Sequence, residues 1–304
     1  MNSRLLPFGA LLIVVLVSSE AAAQGRGRPK APKTPKPTTP TATSAISTSS
    51  APLTSAAMSA AGAVSPATSF RQFGSWLDDA SAATRGEGRT GIGVGYWRLN
   101  GGSQWNVPML DVGYAFTDRI QASANVPFYR ASYEGGTARG LDDMYLSGKM
   151  TLIDPSLTLS EFGLAVSPVV EVLSPGSSEG RAHYAVPVSV ELRRQPFRVF
   201  GTGGYFSRGS VFTAGAVEWS AAAGYLVTVS VTRSYSTRSD TTLDALDVSR
   251  QRADLTGSVS YPLGQTAAAY VSVGRSLMAV GEGGTSFSLA GGISFRFAAT
   301  KGTP

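Results

Sequence analysis

Apolar and polar residues alternate one by one through most of residues 91–297, and short turn sequences interrupt the alternation. Within 120–128, isoleucine, alanine, valine and phenylalanine hold the even positions, whereas glutamine, serine and asparagine hold positions 121, 123 and 125. A period of two puts the apolar side chains on one face of a β-strand and the polar ones on the other. The pattern predicts an all-β protein, a transmembrane antiparallel up-and-down β-barrel with one face toward lipid and the other toward water.

The alternation predicts about 12 strands in residues 90–298, an even number as in bacterial outer-membrane barrels. The connections alternate between short turns and longer loops, and such barrels place the short turns in the periplasm. The predicted strands lie near 90–99, 105–116, 119–129, 141–153, 160–172, 182–194, 197–207, 210–217, 222–235, 250–261, 266–277 and 285–297.

Prolines and aromatic residues refine this prediction. Pro168 and Pro187 interrupt two neighbouring strand patterns, and each removes one hydrogen bond from a sheet that has no free edge. We expect the two prolines to face each other in a paired β-bulge. Trp97 is among the aromatic residues near predicted strand ends, and we expect it in the belt that meets lipid headgroups.

Residues 1–23 have the features of a secretory signal peptide. Arg4 supplies a positive charge, an apolar run follows at 10–17, and small residues at 21–23 fit a cleavage site. A transmembrane helix is the alternative, but this run is far shorter than the roughly 20 residues that cross a bilayer. The sequence therefore predicts export from the cytoplasm and insertion into the outer membrane of a Gram-negative cell.

Residues 24–69 are almost entirely Pro, Thr, Ala, Ser, Gly, Lys and Arg, and cannot form a packed core. We expect a disordered periplasmic spacer. Its cations have two interpretations, contact with an anionic surface such as cell wall or lipid headgroups, and plain solvation. These cations are Arg26, Arg28, Lys30, Lys33 and Lys36.

A short cap segment, residues 70–89, precedes the predicted barrel. Phe70, Phe73, Trp76 and Leu77 have helix-like spacing, which favours a short helix in this segment. Two positions are compatible with it, a plug inside the lumen and a cap against the membrane surface. After the barrel, residues 299–304 are expected to be a C-terminal tail.

Charge and cysteine content exclude several classes of protein. The net charge is +6, but six of the 26 basic residues lie before residue 70 with only one of the 20 acidic ones, so the folded part is nearly neutral. This distribution gives no basic groove for nucleic acid. The chain has no cysteine, which excludes disulfides and thiolate metal sites.

The sequence offers little for catalysis, and we expect no enzyme, cofactor or metal site. His183 is the single histidine, and neither a catalytic triad nor a zinc site follows from one histidine among scattered serines. The glycines Gly91, Gly93 and Gly95 lack the spacing and lysine of a phosphate loop. In a strand they indicate close packing or a bend.

The polar face supplies the candidate functional residues, which carry both signs of charge and would line a pore or fill the lumen as packing pairs. Glu191 and Arg198 are one predicted pair on neighbouring strands. The candidate pore-lining residues are Gln121, Asn125, Tyr145, Lys149, Glu171, His183, Glu191, Arg193, Arg198, Arg252 and Asp254.

Two segments, GYAFTDRIQASANVPFY at 113–129 and GLDDMYLSGKM at 140–150, resemble the outer-membrane proteins of the meta-pathway of phenol degradation (MetA-pathway) family. The turn residues 117–119 match that family's Thr-Asp-Arg turn, and 126–128 match its Val-Pro-aromatic step. Asp142 departs from the family's Gly-x-Gly-Asp element, where a second glycine is usual. The resemblance implies a transporter-like barrel for hydrophobic or aromatic compounds.

These observations predict an outer-membrane channel for passive passage of small, hydrophobic or aromatic solutes, with outer-membrane lipid and solute molecules as its partners. The inward charges would set selectivity, and a loop at 130–140 would control access. A non-conducting barrel that serves as a structural or surface-attachment protein is the alternative from another class. A soluble secreted all-β protein is the third.

Overall fold

The computed structural model describes residues 77–99, 102–133, 136–172, 182–207, 209–221, 224–237, 251–277 and 286–298. The predicted signal peptide, linker and tail lie outside these residues, as do the first part of the cap and most of the long loops. The strands are β1 (Glu87–Leu99), β2 (Gly102–Ala115), β3 (Ile120–Tyr133), β4 (Gly136–Leu141), β5 (Met144–Ile153), β6 (Phe162–Val166), β7 (Val169–Val172), β8 (Ala182–Ala185), β9 (Val188–Arg194), β10 (Phe197–Phe206), β11 (Ser210–Ser220), β12 (Leu226–Ser236), β13 (Gln251–Pro262), β14 (Ala267–Ser276) and β15 (Phe287–Ala298).

These strands form one closed antiparallel barrel. β3 pairs with both β4 and β5, β5 with both β6 and β7, and β10 with both β8 and β9. β4 and β5 are therefore two parts of one crossing of the wall, as are β6 and β7, and β8 and β9. The wall therefore has twelve strands. β1 closes on β15 in antiparallel register, from Glu87 opposite Ala298 to Arg98 opposite Phe287. The predicted fold class and number of strands are confirmed.

The up-and-down order gives the barrel two different rims. We call one the turn rim: it carries the first residue of β1, the last residue of β15 and the turns after β2, β5, β9, β11 and β13. The opposite loop rim carries the connections after β1, β3, β7, β10, β12 and β14. The longest connections, from β7 to β8, β12 to β13 and β14 to β15, all belong to the loop rim.

Alternation along the strands separates an outer apolar face from an inner polar face. Leu146 and Val190 on the outer face are 51% and 44% exposed. Gln121 and Glu191 on the inner face are 3% and 1% exposed. A soluble protein of ordinary kind buries its apolar side chains, so this inverted distribution is the one expected of a barrel whose outer face lies in lipid.

Prolines disturb the wall in two different ways. Val107 and Pro108 are opposed by one residue on each neighbouring strand, so β2 carries a β-bulge there. The predicted paired bulge at Pro168 and Pro187 is wrong, because Val169 pairs with Ala185 on one side and β6 and β9 keep the same register on the other. No extra residue is inserted. The lost N–H groups instead divide two crossings into shorter strands, at residues 167–168 and 186–187.

The predicted access loop at 130–140 is mostly sheet. β3 continues to Tyr133 and β4 begins at Gly136, with Arg130 paired to Arg139. The hairpin extends the wall at the loop rim, because the chain alternates well enough to pair through these residues. A hairpin of this kind is more rigid than a loop.

Three glycines on the inner face of β1 allow close packing, as the sequence indicated. A Cβ at Gly91 would fall on the carboxylate of Asp111, and a Cβ at Gly93 would lie 2.5 Å from the hydroxyl of Tyr270. The ring of Trp97 covers Gly95. Trp97 is 1% exposed and points inward, so its predicted place in the headgroup belt is wrong. The small side chains beside it let the indole turn into the barrel.

Residues 77–86 form no helix, and residues 77–83 lie inside the barrel, so the luminal position is the one that the structure shows for this part of the cap. Leu77, Ala80 and Ala83 are each at most 1% exposed. The segment reaches the wall at Gly86, whose N–H bonds to the carbonyl of Ala115. Among the described residues, no helix is long and apolar enough to cross a membrane.

Candidate functional site

The candidate site is the lumen where residues 77–86, which we call the luminal segment, meet the inner wall. At the turn rim, side chains of the wall accept hydrogen bonds from the backbone of the segment. The N–H of Arg85 donates to the Asp118 carboxylate at 2.9 Å, and the N–H of Ala83 donates to Gln121 Oε1 at 2.9 Å. Thr151 Oγ1 donates a hydrogen bond to the carbonyl of Ala80 at 2.9 Å. Wall side chains therefore replace the backbone partners that a strand would have supplied.

Lys149 on β5 holds the two acidic side chains of the luminal segment. Its ammonium lies 2.6 Å from Asp78 Oδ1 and 3.0 Å from Asp79 Oδ1, and it also donates to the carbonyl of Ser81 at 3.2 Å. Ser167 donates its hydroxyl to the other oxygen of Asp78 at 2.9 Å. The side chains of Lys149, Asp78, Asp79 and Ser167 are all buried.

Arg198 on β10 forms the second anchor. Its guanidinium lies 2.8 Å from Asp79 Oδ2 and 3.0 Å from Glu218 Oε1, with Glu191 Oε1 at 3.6 Å. The same group stands over the Phe200 ring at 4.5 Å from the centroid. The predicted pairing of Glu191 with Arg198 is present, and Asp79 and Glu218 complete a set of three carboxylates around one cation.

Glu191 and Arg193 on β9 fasten the next residue of the segment. Glu191 Oε2 accepts hydrogen bonds from Ser81 Oγ at 2.6 Å and from the N–H of Ala80 at 3.2 Å. Arg193 is salt-bridged to Glu191 at 2.7 Å and donates to Ser81 Oγ. Arg193 and Arg198 are direct cross-strand neighbours, which is unfavourable for like charges, and the carboxylates between them offset that repulsion.

This cluster of three cations and four carboxylates, which we call the anchor, holds the luminal segment only while its charges remain paired. Removing charges from water costs several kcal/mol per ion, and the mutual attraction offsets that cost only while every partner is in place. The charges are Lys149, Arg193, Arg198, Asp78, Asp79, Glu191 and Glu218. If one charged partner is lost, its neighbours in the cluster also lose their compensation, so several contacts to the luminal segment fail together. A hydrophobic core would instead hold the segment with many contacts that act independently.

Four other predicted residues form a row around the inner wall. Asn125 is the cross-strand neighbour of Tyr145, Tyr145 of Glu171, and Glu171 of His183. The Tyr145 hydroxyl donates to Glu171 Oε1 at 2.8 Å. The row lies closer to the loop rim than Lys149, since Tyr145 precedes it on β5. It forms a polar surface above the anchor.

The remaining two predicted residues lie together on β13, away from the anchor. Arg252 Nε is 2.6 Å from Asp254 Oδ2, two positions along the same strand. The predicted set therefore separates into an anchor, a row and a pair. Of the predicted residues, Lys149, Glu191, Arg193 and Arg198 belong to the anchor, and Gln121 binds the luminal segment beside it.

The inner wall of β12–β15 has a different character, because small hydroxyl side chains cover it. These side chains are buried, and among the described inward-facing residues of β12–β15 the charged ones are Arg252, Asp254 and Arg296. The hydroxyl residues are Thr228, Ser230, Thr232, Thr256, Ser258, Ser260, Ser272, Ser276, Ser288 and Ser294. Next to them, Trp97, Met109, Tyr270 and Ala290 form an apolar cluster on the inner wall.

Sequence reasoning missed the acidic partners of the anchor. The pattern places Asp78 and Asp79 in the cap segment, and Glu218 between the predicted strands at 210–217 and 222–235. A signal was present in the sequence. Two adjacent carboxylates come just before a nearly neutral barrel with inward Lys and Arg, and buried charges of either sign require partners. The pairing itself depends on the path of the segment through the lumen, which local periodicity does not encode.

Comparisons with known proteins agree with this architecture. No family model matches the chain, and no curated protein matches it. The fold is similar to that of the COG4313 outer membrane channel from Pseudomonas putida F1, at 16% identity and a TM-score of 0.56, over 72% of this chain and 98% of that chain. It is also similar to the NanC porin, at 11% identity and a TM-score of 0.50, over 68% of this chain and 98% of that chain. The chain thus has the fold of outer-membrane β-barrel channels, and the resemblance to the MetA-pathway family stays a prediction.

Proposed function

We propose that the protein is an outer-membrane channel for passive passage of small solutes, and that the luminal segment constricts its periplasmic end. The turn rim faces the periplasm, because chain ends and short turns lie on that side in bacterial barrels. The outer apolar face lies in the lipid. Solute diffusion of this kind requires no cofactor.

The observation that carries the proposal is the division of the inner wall into two unlike halves. The luminal segment is anchored by charged side chains on β5, β9 and β10 and by the Gln121 amide on β3, while β12–β15 present small hydroxyl groups. A barrel that only needed filling would pack large apolar side chains there. Small hydroxyl side chains instead fill less of the lumen, and some of them donate to carbonyls of the wall, as Ser276 does to Ala253 at 3.0 Å.

The lining favours small neutral solutes with an aromatic or hydroxyl group. Hydroxyl side chains bind such molecules weakly, and Trp97, Met109 and Tyr270 form a buried apolar cluster beside them. Both signs of charge occur in the lumen, so no strong ion selectivity is expected. This solute class agrees with the one that the family resemblance implies.

Single-channel recording in planar bilayers tests the proposal. We expect discrete conductance steps that are small for a barrel of this size, because the luminal segment narrows the path. Liposome swelling should then show faster uptake of phenol and small sugars than of benzoate or large oligosaccharides. Silence from protein with a normal heat-dependent shift in gel mobility would contradict the channel.

The anchor also favours a second function, a closed barrel that acts as a structural or surface-attachment protein. The buried ion pairs at Lys149 and Arg198 could hold the luminal segment in place permanently. In that case neither conductance nor swelling would exceed the level of protein-free membranes. The same recordings therefore separate the two functions.

The membrane placement has its own test. Nitroxide spin labels at Ala124, Leu146 and Val190, all on the outer face, should show strong relaxation by oxygen and weak relaxation by a water-soluble nickel reagent. The absence of native cysteine makes labelling specific. A label at the exposed turn residue Gln265 serves as the aqueous control. Aqueous relaxation at all three outer sites would exclude a transmembrane barrel.

A further inference from the structure

Two clusters of buried apolar side chains lie on the inner wall. The first, which we call the Leu77 cluster, combines Leu77 of the luminal segment with wall residues on β7, β8, β10 and β11. The second, which we call the Trp97 cluster, has its members on β1, β2, β14 and β15. On one side of the barrel, β3 and β5 are the strands that separate the two clusters.

Tyr145 on β5 packs against both clusters. Its side chain points inward, because its cross-strand neighbours Asn125 and Glu171 are both buried. The Trp97 cluster has no member among the described residues of β3, so its contact with Tyr145 bypasses that strand. Neighbouring strands lie about 4.8 Å apart, which puts β5 and β2 on the order of 10 Å from each other. The ring therefore extends into the lumen and does not lie flat against the nearest strands.

The hydroxyl of Tyr145 fixes the far end of this side chain. It donates to Glu171 Oε1 at 2.8 Å, and Glu171 lies on β7, on the side of β5 that faces away from β3. Hydrogen bonds to a carboxylate are stronger than those between neutral groups. The side chain thus reaches from the Glu171 carboxylate on one side to the Trp97 cluster on the other, and its ring stands between the two clusters.

Tyr145 is the side chain of this arrangement that is able to move. Trp97, Phe206 and Phe212 are at most 2% exposed, so packing holds them on the wall. Tyr145 is only partly buried, and part of its side chain borders the lumen. A rotation about its side-chain bonds would break the hydrogen bond to Glu171 and separate the two clusters without a change in any strand.

We propose that Tyr145 sets the barrier to ions by joining the Leu77 and Trp97 clusters into one apolar band inside the lumen. The inference rests on the proposed channel function. An apolar constriction hinders ions, because water leaves it readily and an ion must then shed its hydration shell. Small neutral solutes lose less hydration there, so the band selects them over ions. Because Leu77 belongs to the luminal segment, docking of that segment completes the band.

Single-channel recording of the full chain in KCl tests this role. Tyr145→Ala removes the ring and should raise the conductance several-fold above that of the wild type. Tyr145→Phe keeps the ring and loses the hydrogen bond to Glu171, so its conductance should stay well below that of Tyr145→Ala. Tyr184→Ala is the matched control, because it removes the same kind of side chain from an exposed position on the outer face of β8. Its conductance should equal that of the wild type.

Tyr145→Cys adds a rescue that acts after folding. The chain has no native cysteine, so a methanethiosulfonate reagent reacts only at this position. The benzyl reagent attaches an aromatic ring and should lower the raised conductance of Tyr145→Cys toward that of the wild type. The methyl reagent attaches a small group and should leave the conductance high. A purely structural role of Tyr145 would not produce this difference.

The outcomes separate the barrier from the channel itself. Each variant is first checked for the heat-dependent gel shift of a folded barrel. If Tyr145→Ala conducts no better than Tyr184→Ala, the ring is not the barrier and the inference is wrong, although the channel stands. If Tyr145→Phe conducts as well as Tyr145→Ala, the hydrogen bond and not the apolar ring closes the path, and the inference is also wrong. Silence from the folded wild type and from every folded variant would contradict the channel, and the barrier falls with it.

Discussion

Replacing Lys149 with methionine should release the luminal segment and raise the single-channel conductance several-fold. The substitution keeps most of the side-chain volume but leaves Asp78 and Asp79 buried without the ammonium that both contact. Removing one partner from a buried ion pair costs roughly 3–5 kcal/mol. That energy shifts the ratio of docked to released segment by about two to four orders of magnitude.

A second measurement follows the segment itself. Ala83→Cys is a small change at a residue that is 1% exposed, so a maleimide should react slowly with it in the wild-type background. In the Lys149→Met background the reaction should be faster by the factor by which the fraction of released segment increases. The gel shift of the folded barrel, which depends on the wall strands, should remain.

Arg252→Met is the matched control for this prediction. It also removes one inward cation, but its salt bridge is with Asp254 on the same strand and not with the luminal segment. We expect its conductance and Ala83→Cys labelling to stay near those of the wild type. Equal behaviour of the two variants, or an unchanged conductance in Lys149→Met with Ala83→Cys still protected, would refute the anchoring role of Lys149.

The sequence predicted the wall well because a barrel wall is governed by local rules. Alternation assigns every inward residue, so the anchor residue Lys149 and the row residue Glu171 were both placed on the correct face. Up-and-down connectivity then follows from turns, which are also local. The diagonal contact between Glu191 and Arg198 on β9 and β10 needed only the register of one tight turn.

The predictions that failed concern features that depend on contacts between distant parts of the chain. Trp97 turned inward because Gly95 gives its ring space, which a count of strand-end aromatics does not reveal. The pairing of Pro168 and Pro187 required the register across a long loop, where an error of one residue changes the outcome. Asp79 contacts Arg198 more than a hundred residues away, so only the path of the luminal segment brings them together.

The same dependence on distant contacts makes the closing seam of the barrel a sensitive position. Gly292→Val on β15 should prevent most of the chain from closing into a barrel. A Cβ at Gly292 would lie 2.5 Å from the carbonyl oxygen of Ile92 and 2.8 Å from the Cα of Gly93. Overpacking costs typically 1–3 kcal/mol when side chains can yield, and here the atoms belong to the hydrogen-bonded backbone of β1. The strands must separate, and without this seam the first and last strands are open edges.

Gly257→Val supplies the comparison, because a Cβ at Gly257 has no atom within 4 Å and points to the outer face of β13. The yield of heat-shifted, protease-resistant barrel after refolding into detergent should be near wild type for Gly257→Val and lower by about an order of magnitude for Gly292→Val, a factor that corresponds to about 1.4 kcal/mol. Both substitutions add the same β-branched side chain to a strand, so intrinsic strand preference does not separate them. Equal yields would mean that β1 and β15 can move apart without loss of the fold, and that the paired glycines at Gly93 and Gly292 are not what allows the wall to close.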